Sequence, residues 1–394
     1  MNSSPNQILT AFADRVVQYV RDAVGDGNIL TAFLAGGVAR DEISVAIVAG
    51  HTEIYSDIDL YIVVSDEVDV EHTNRQTQEY AASLPRAADE FTIYPSPDVG
   101  VYSAEDLRAQ TVRPGTVEIR SAHRVLAGSL DITRLTDRFV ATAIDPKEGM
   151  YLLENRLSEI SAIARGLCGG AGSLRYAHYT LLKGCQDLLS AVLITLGQFK
   201  ESRAKRMETF ETKAFRKNAS GMLDDNAMES IAGSYRSLLR LQNVIDIQVI
   251  DLEAKRRHVE ALLLETWRRL AARIYGGEQG VWADVVERRC RVQRWMTNTR
   301  ELLVLGKRMG VSRGGLAIRL GRIARFSPVE VLRLSGLVDL VLQRGKSGDI
   351  ELEDMDRQRL LGGYVSVLER LTGSFGVEGG SVFDRGRGLF RRTT

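Results

Sequence analysis

Two aspartates separated by one residue, Asp57 and Asp59, stand at the mouth of an apolar run formed by Leu60, Tyr61, Ile62, Val63 and Val64. A short continuous apolar run of this kind reads as a buried strand. Side chains alternate faces along a strand, so residues two apart project the same way and both carboxylates would leave the strand mouth together. Like charges so placed repel, which raises at least one carboxyl pKa or demands a cation. Mg²⁺ meets that demand, being a hard ion that takes oxygen ligands and is usually held by one or two carboxylates together with substrate phosphates. A glycine pair, Gly36-Gly37 in LAGGVARDE, lies upstream. It fits the same picture, because residues without a Cβ let backbone N–H groups come close to a phosphate.

The elements that must hold these residues are legible in the spacing of apolar positions. Asn6 to Val24 carries Ile8, Leu9, Phe12, Val16, Val17, Val20 and Val24 at a helical period and ends at Gly25-Asp26-Gly27. Ile29 to Ala35 reads as a strand that delivers the glycine pair at its end. Ile43 to Val48 and His51 to Tyr55 flank Ala49-Gly50 as a hairpin would. Residues 71 to 84 form a mainly polar surface helix closed by Pro85, and Phe91 to Tyr94 is extended. Pro95-Ser96-Pro97 forces an extended kink. In the strand 98 to 102 that follows, Asp98, Gly100 and Tyr102 share one face, and Gly100 leaves room beside the carboxylate. The order helix, strand, glycines, strand, helix, strand predicts a small mixed α/β sheet.

Gly36-Gly37, Arg40, Glu42 and Asp57-Ile58-Asp59 together resemble the signature of the polymerase β-type nucleotidyltransferase superfamily. That signature is an apolar residue, a glycine pair, a short helix, then Asp-x-Asp on a strand and a third carboxylate on a later strand; Asp98 is the candidate for the third. The resemblance covers roughly residues 1 to 145. Nineteen residues separate Gly37 from Asp57, more than compact members of the superfamily use, and the hairpin absorbs the excess. Val117 to Arg120 and Val125 to Gly128 resemble the closing strands of the catalytic module. The resemblance implies that Asp57 and Asp59 bridge two Mg²⁺ ions, and that Asp98 ligates the ion facing the acceptor hydroxyl or serves as general base. Two ions about 3.5–4 Å apart would stabilise the attacking and leaving oxygens of an in-line displacement at the α-phosphate. Gly36 and Gly37 would hold the β- and γ-phosphates at a helix N-terminus. Arg40 would either help with phosphates or pair with Asp41 or Glu42.

From Asp145-Pro146 onward the pattern is helical almost throughout, which predicts an α+β protein whose catalytic module is followed by a helical bundle. Met150 to Leu167, Leu174 to Phe199, Met228 to Ile250, Asp251 to Tyr275 and Val281 to Met309 each place apolar residues three and four apart. Ser327-Pro328-Val329-Glu330 opens a further helix to Leu342, and a last one spans about Met355 to Leu371. The expected divisions are 1–145 for the catalytic domain, 146–310 for the bundle, 311–372 for an additional helical segment and 373–394 for a disordered tail. YTLLKGCQDLLSAVLITLGQF resembles the first long helix after the catalytic module in superfamily members with a helical C-terminal domain, where a lysine at about the place of Lys183 reaches the triphosphate. Tyr179, Lys183 and Gln186 share a face of that helix.

Composition narrows the remaining choices. Residues 1–145 hold 22 Asp and Glu against 11 arginines and no lysine, a net of −11, while the remainder holds 41 Lys and Arg against 29 acids, a net of +12. Such halves suit a polyanionic substrate held between them, or simply dock on each other. The net +12 favours an anionic or phosphorylated acceptor, and a stripe of Arg319, Arg322 and Arg325 with Arg313 nearby would meet RNA, an acidic partner or solvent. The acceptor, whether small molecule, protein or RNA, is not specified. The NTP expected is ATP. No apolar run approaches the roughly 18 residues of a membrane span, and no secretory leader is evident, so a cytoplasmic protein is expected. Cys168, Cys185 and Cys290 are widely spaced without a CxxC and read as reduced thiols. There is no GxxxxGK[ST] or GxSxG, and the five histidines have no metal-ligand spacing. Two other readings stand beside the transferase. One is a non-catalytic, regulatory protein on the same fold; the other is a metal-dependent glycosyltransferase, which would want a longer nucleotide-binding region than the 56 residues preceding Asp57.

Overall fold

The computed structural model describes residues 4–164, 171–240, 252–276, 281–290, 328–365 and 368–369. The chain is a mixed α+β protein that divides into two compact units: Met1–Gly149 with Gly166–Asp251, and Met150–Arg165 with Leu252–Thr394.

The first unit opens with α1 (Pro5–Val24), started by a reciprocal cap between Ser4 and Gln7 with proline at the first position. Then come β1 (Ile29–Leu34), the one-turn helix α2 (Gly36–Ala39), β2 (Val45–Val48), β3 (His51–Ile54), β4 (Asp59–Val64) and α3 (Val70–Ser83). After them follow β5 (Ala87–Ala88), β6 (Phe91–Ile93), β7 (Asp98–Ser103), α4 (Ala104–Ala109), α5 (Pro114–Ser121), β8 (Arg124–Gly128) and α6 (Ile132–Leu135). The helix α7 (Lys147–Ala164) begins here and continues into the second unit; α8 (Ala171–Thr195), α9 (Arg203–Glu211), α10 (Lys213–Ala219) and α11 (Asp225–Arg240) complete the first.

Two four-stranded sheets replace the single sheet expected. The first has the order β7-β4-β1-β8 and the second β2-β3-β6-β5. The hairpin expected around Ala49-Gly50 is β2–β3, and both turn residues have positive φ, 50° and 82°, as a tight primed turn requires. It leaves the first sheet because β3 pairs in parallel with β6, Thr52 level with Phe91 and Ile54 with Ile93. The first sheet is covered on both faces. Leu34, Leu60, Ile62, Val64 and Val101 pack in one cluster with Leu9, Val16 and Val20 of α1, while Phe33 and Val63 pack with Leu107, Ile119 and Leu135.

One expected strand is a helix. Val117 to Arg120 lies inside α5, which Pro114 begins and the Thr116 hydroxyl caps by accepting from the Arg113 N–H at 2.9 Å. Four residues carry alternating and helical patterns equally well, and the proline with its cap decides for the helix. The expected division at 310 lies outside the described residues, and the two compact units are not consecutive stretches of the chain. Helices α8 to α11 belong to the first unit, where Tyr179 and Leu182 of α8 pack with Ala46 and Tyr55.

The second unit contains α12 (Leu252–Tyr275), α13 (Trp282–Cys290), α14 (Pro328–Ser347) and α15 (Asp354–Arg359), which passes into a π-helical stretch, Leu360–Val365. Trp267 and Trp282 stack at 6.1 Å, and the buried Glu154 accepts from Trp267 Nε1 and pairs with Arg289. Asp356 caps α13 from a distance in sequence, accepting at 2.6 Å from the N–H groups of both Trp282 and Ala283. Cys185 and Cys290 are buried. No helix among the described residues is long and apolar enough to cross a membrane. Cys168, Arg313, Arg319, Arg322, Arg325, the expected tail and the ends of several expected helices lie outside the described residues.

Candidate active site

Backbone pairing builds the site first. β4 and β7 run parallel with Asp59 level with Asp98 and Leu60 with Val99, so the two strands open at the same edge of the sheet. The Asp98 N–H donates to Ile58 O at 2.8 Å and the Ala35 N–H to Asp59 O at 2.9 Å, which draws the glycine turn and both acidic strand mouths together. β4 begins at Asp59, so Asp57 sits just ahead of the strand, its side chain 44% exposed.

The carboxylates feel one another. Burial first, then the charges of Asp57, Asp98 and Glu118, push Asp59 up to about 7 against the pull of Lys183. Asp98 is raised by burial and by Asp57, with Arg113 opposing. The Lys183 ammonium lies 2.6 Å from Asp57 Oδ2, so the lysine singled out in the sequence reaches the site from α8.

The glycines are required at different strengths. Gly36 is in the left-handed region, φ 65°, and a Cβ there would collide with Asp59 Oδ2. At Gly37 a Cβ would meet only Glu42 O, at 3.4 Å. Gly100 plays another part than expected: the space beside its Cα is filled by the ring of Tyr102, which stacks on Tyr61 at 5.8 Å. Arg40 follows α2 and is held between Glu42, at 2.9 Å, and Glu118, at 3.2 Å. Of its two expected roles the pairing with Glu42 is present, while Asp41 pairs instead with Arg124.

Several residues of the site carried no signal in the sequence. Glu118 lies on α5, which was read as a strand, and it joins Arg40 to Arg206 of α9. Arg203 ties α9 to the glycine turn, its N–H donating to Glu42 Oε1 at 3.2 Å and its Nη1 to Ser44 Oγ at 3.2 Å. Arg113 was visible only as a charged residue before a proline. None of these has a spacing that marks it, because each is paired across more than 70 residues of chain or acts through the field alone.

Among the described residues no three His, Cys, Asp or Glu side chains form a metal-ready group. Asp57, Asp59 and Asp98 are oxygen donors at one sheet edge, the donor type a hard divalent ion takes, and burial with the neighbouring carboxylates holds the Asp59 proton to about 7. No family model, curated protein or solved structure matches the chain.

Two predictions follow from this geometry. Gly36→Ala should destabilise the protein by on the order of 2 kcal/mol, from left-handed strain and the clash with Asp59, while Gly37→Ala should cost much less. Urea unfolding of the two variants checks the contrast, and equal losses would contradict it. The second concerns pH. The folded Asp59 holds its proton to about 7, whereas the unfolded chain releases it near 4. Its stabilising effect is therefore complete below about 4 and is lost as pH rises through about 7. Without divalent metal, Asp59→Asn should melt above the unsubstituted protein by a margin that grows from pH 5 to pH 8. A margin independent of pH would refute the raised value.

Proposed function

We propose that this chain is a Mg²⁺-dependent nucleotidyltransferase that moves an NMP group from an NTP, ATP foremost, to an acceptor hydroxyl or phosphate. The observation that carries the reading is the pairing of Asp59 with Asp98 at one strand edge, with Asp57 beside them and the glycine turn hydrogen-bonded to Asp59. The register that sets Asp98 level with Asp59 supports it as the third acid of the site.

In this reading Asp57, Asp59 and Asp98 would hold Mg²⁺, which when bound would supply charge neutralisation at the α-phosphate and at the attacking oxygen. Asp59, whose carboxyl is held up to about 7, would lose its proton to solvent to serve as a ligand. Asp98, at the mouth of β7 with a raised carboxyl, is suited to take the acceptor's proton. The Lys183 ammonium, 2.6 Å from Asp57 Oδ2, would turn to the triphosphate, and backbone N–H groups at Gly36 and Gly37 would approach the β- and γ-phosphates. Arg40 has Nη1 buried without a hydrogen-bond partner, one donor not taken up by Glu42 and Glu118. The acceptor is proposed to be anionic or phosphorylated, on the strength of the net +12 beyond residue 145.

One observation favours a second reading. Lys183 already neutralises Asp57, as a nucleotide-binding protein that has lost catalysis would also have it.

Calorimetric titration with ATP, GTP, CTP and UTP in Mg²⁺, paired with a pyrophosphate-release assay, separates the two. The transferase binds at least one NTP and releases pyrophosphate once an acceptor from cell extract is present. Binding without release selects the non-catalytic reading, and no binding removes both. Asp57→Asn and Asp59→Asn should each abolish transfer, a loss of roughly a hundredfold or more, with unchanged circular dichroism. A folded variant retaining near-full activity would remove that aspartate from the metal site.

A further inference from the structure

Glu53 in β3 is 5% exposed, and Arg175 in α8 grips it with both prongs of its guanidinium. Nε donates to Oε2 at 2.6 Å, and Nη2 pairs with Oε1. The Tyr55 hydroxyl donates to Oε2 at 2.5 Å and the Tyr94 hydroxyl to Oε1 at 3.5 Å. Burial pushes the Glu53 carboxyl up, but the hydrogen bonds from Arg175 and Tyr55 more than offset it and hold it below the usual range. Next to this pair the rings of Tyr55, Tyr94, Tyr176 and Tyr179 pack together, Tyr55 on Tyr179 at 5.5 Å and Tyr94 on Tyr176 at 5.5 Å.

The same two segments meet again at Lys183 and Asp57. Two ion pairs, Glu53–Arg175 and Asp57–Lys183, therefore join the β3 segment to α8, and Tyr55 packs on Tyr179 within the same interface. Tyr176, Tyr179 and Lys183 recur at three and four residues and share one helix face.

We infer that Glu53 and Arg175 are positioning residues for Lys183, setting the rotation and axial position of α8 so that its ammonium meets Asp57, an inference that rests on the proposed role of Lys183 at the nucleotide site. Tyrosine rings alone tolerate sliding and rotation, whereas a forked guanidinium on a buried carboxylate fixes both. A slip of one residue along α8 would move Lys183 by about 1.5 Å and turn it by about 100°. The β2–β3 hairpin thereby has a task, since it supplies the carboxylate that seats the lysine-bearing helix.

The test uses the full chain with Arg175→Met, Arg175→Lys, Lys183→Met and the Arg175→Met/Lys183→Met pair. Without nucleotide, acetic anhydride labelling read by mass spectrometry gives the reactivity of Lys183 relative to Lys205. Arg175→Met should raise that ratio roughly three- to tenfold, Asp57→Asn should do the same, and Arg175→Lys should fall between. With Mg²⁺ and ATP, calorimetry should show Arg175→Met weakening binding in the unsubstituted background and changing it less than about twofold on top of Lys183→Met. An unchanged Lys183 ratio in folded Arg175→Met, or losses that simply add, would overturn the inference. If the protein binds none of ATP, GTP, CTP and UTP, the proposed function fails and the labelling alone decides the positioning role; if it binds another of the four, that NTP replaces ATP in the calorimetry. If Arg175→Met does not fold, Arg175→Lys decides it by the same ratio.

Discussion

Carboxylates crowded at the mouths of two parallel strands are opposed by their own repulsion, and much of the first unit is arranged to hold them there. The strands cannot relax the strain by sliding. Their register is fixed by the parallel ladder that sets Asp59 level with Asp98, and both faces of the sheet are packed, so a slip would move buried Leu60, Ile62 and Val63 to the wrong side. The repulsion is expressed instead in protonation, with Asp59 held up to about 7.

Relief comes from cations on other elements. Lys183 arrives from α8 and Arg113 acts through its field from the start of α5. Glu118 adds to the negative field at Asp59 and is itself clamped by Arg40 and Arg206. The uneven charge along the sequence takes on meaning here. Lys183, Arg175 and Arg206 all lie beyond residue 145, and they pair with Asp57, Glu53 and Glu118 from the acidic stretch. In the first unit the opposite charges bring helices onto the acidic fold, the plainer of the two explanations that composition offered. The burial of Glu53 is tolerable only because it has a guanidinium and further donors, for an unpaired carboxylate there would be strongly destabilising.

The sequence alone determined what depends on local pattern. α1 has its capping residue, proline and apolar stripe within twenty residues; the β2–β3 turn has Ala49-Gly50; β4 has an unbroken apolar run with Asp57 and Asp59 ahead of it. Gly36 was legible as special, since a glycine at a strand end seldom lacks a backbone reason. What only tertiary structure decided were the relations between distant segments. It set Asp98 beside Asp59 across 39 residues of chain, turned 117–120 into helix under Pro114, split the strands into two sheets and joined α8–α11 to the first unit. Glu53, Arg175 and Glu118 stayed invisible for the same reason. A charged residue looks alike in solvent and in a buried pair, and only the fold, by removing water and supplying the partner, makes the difference.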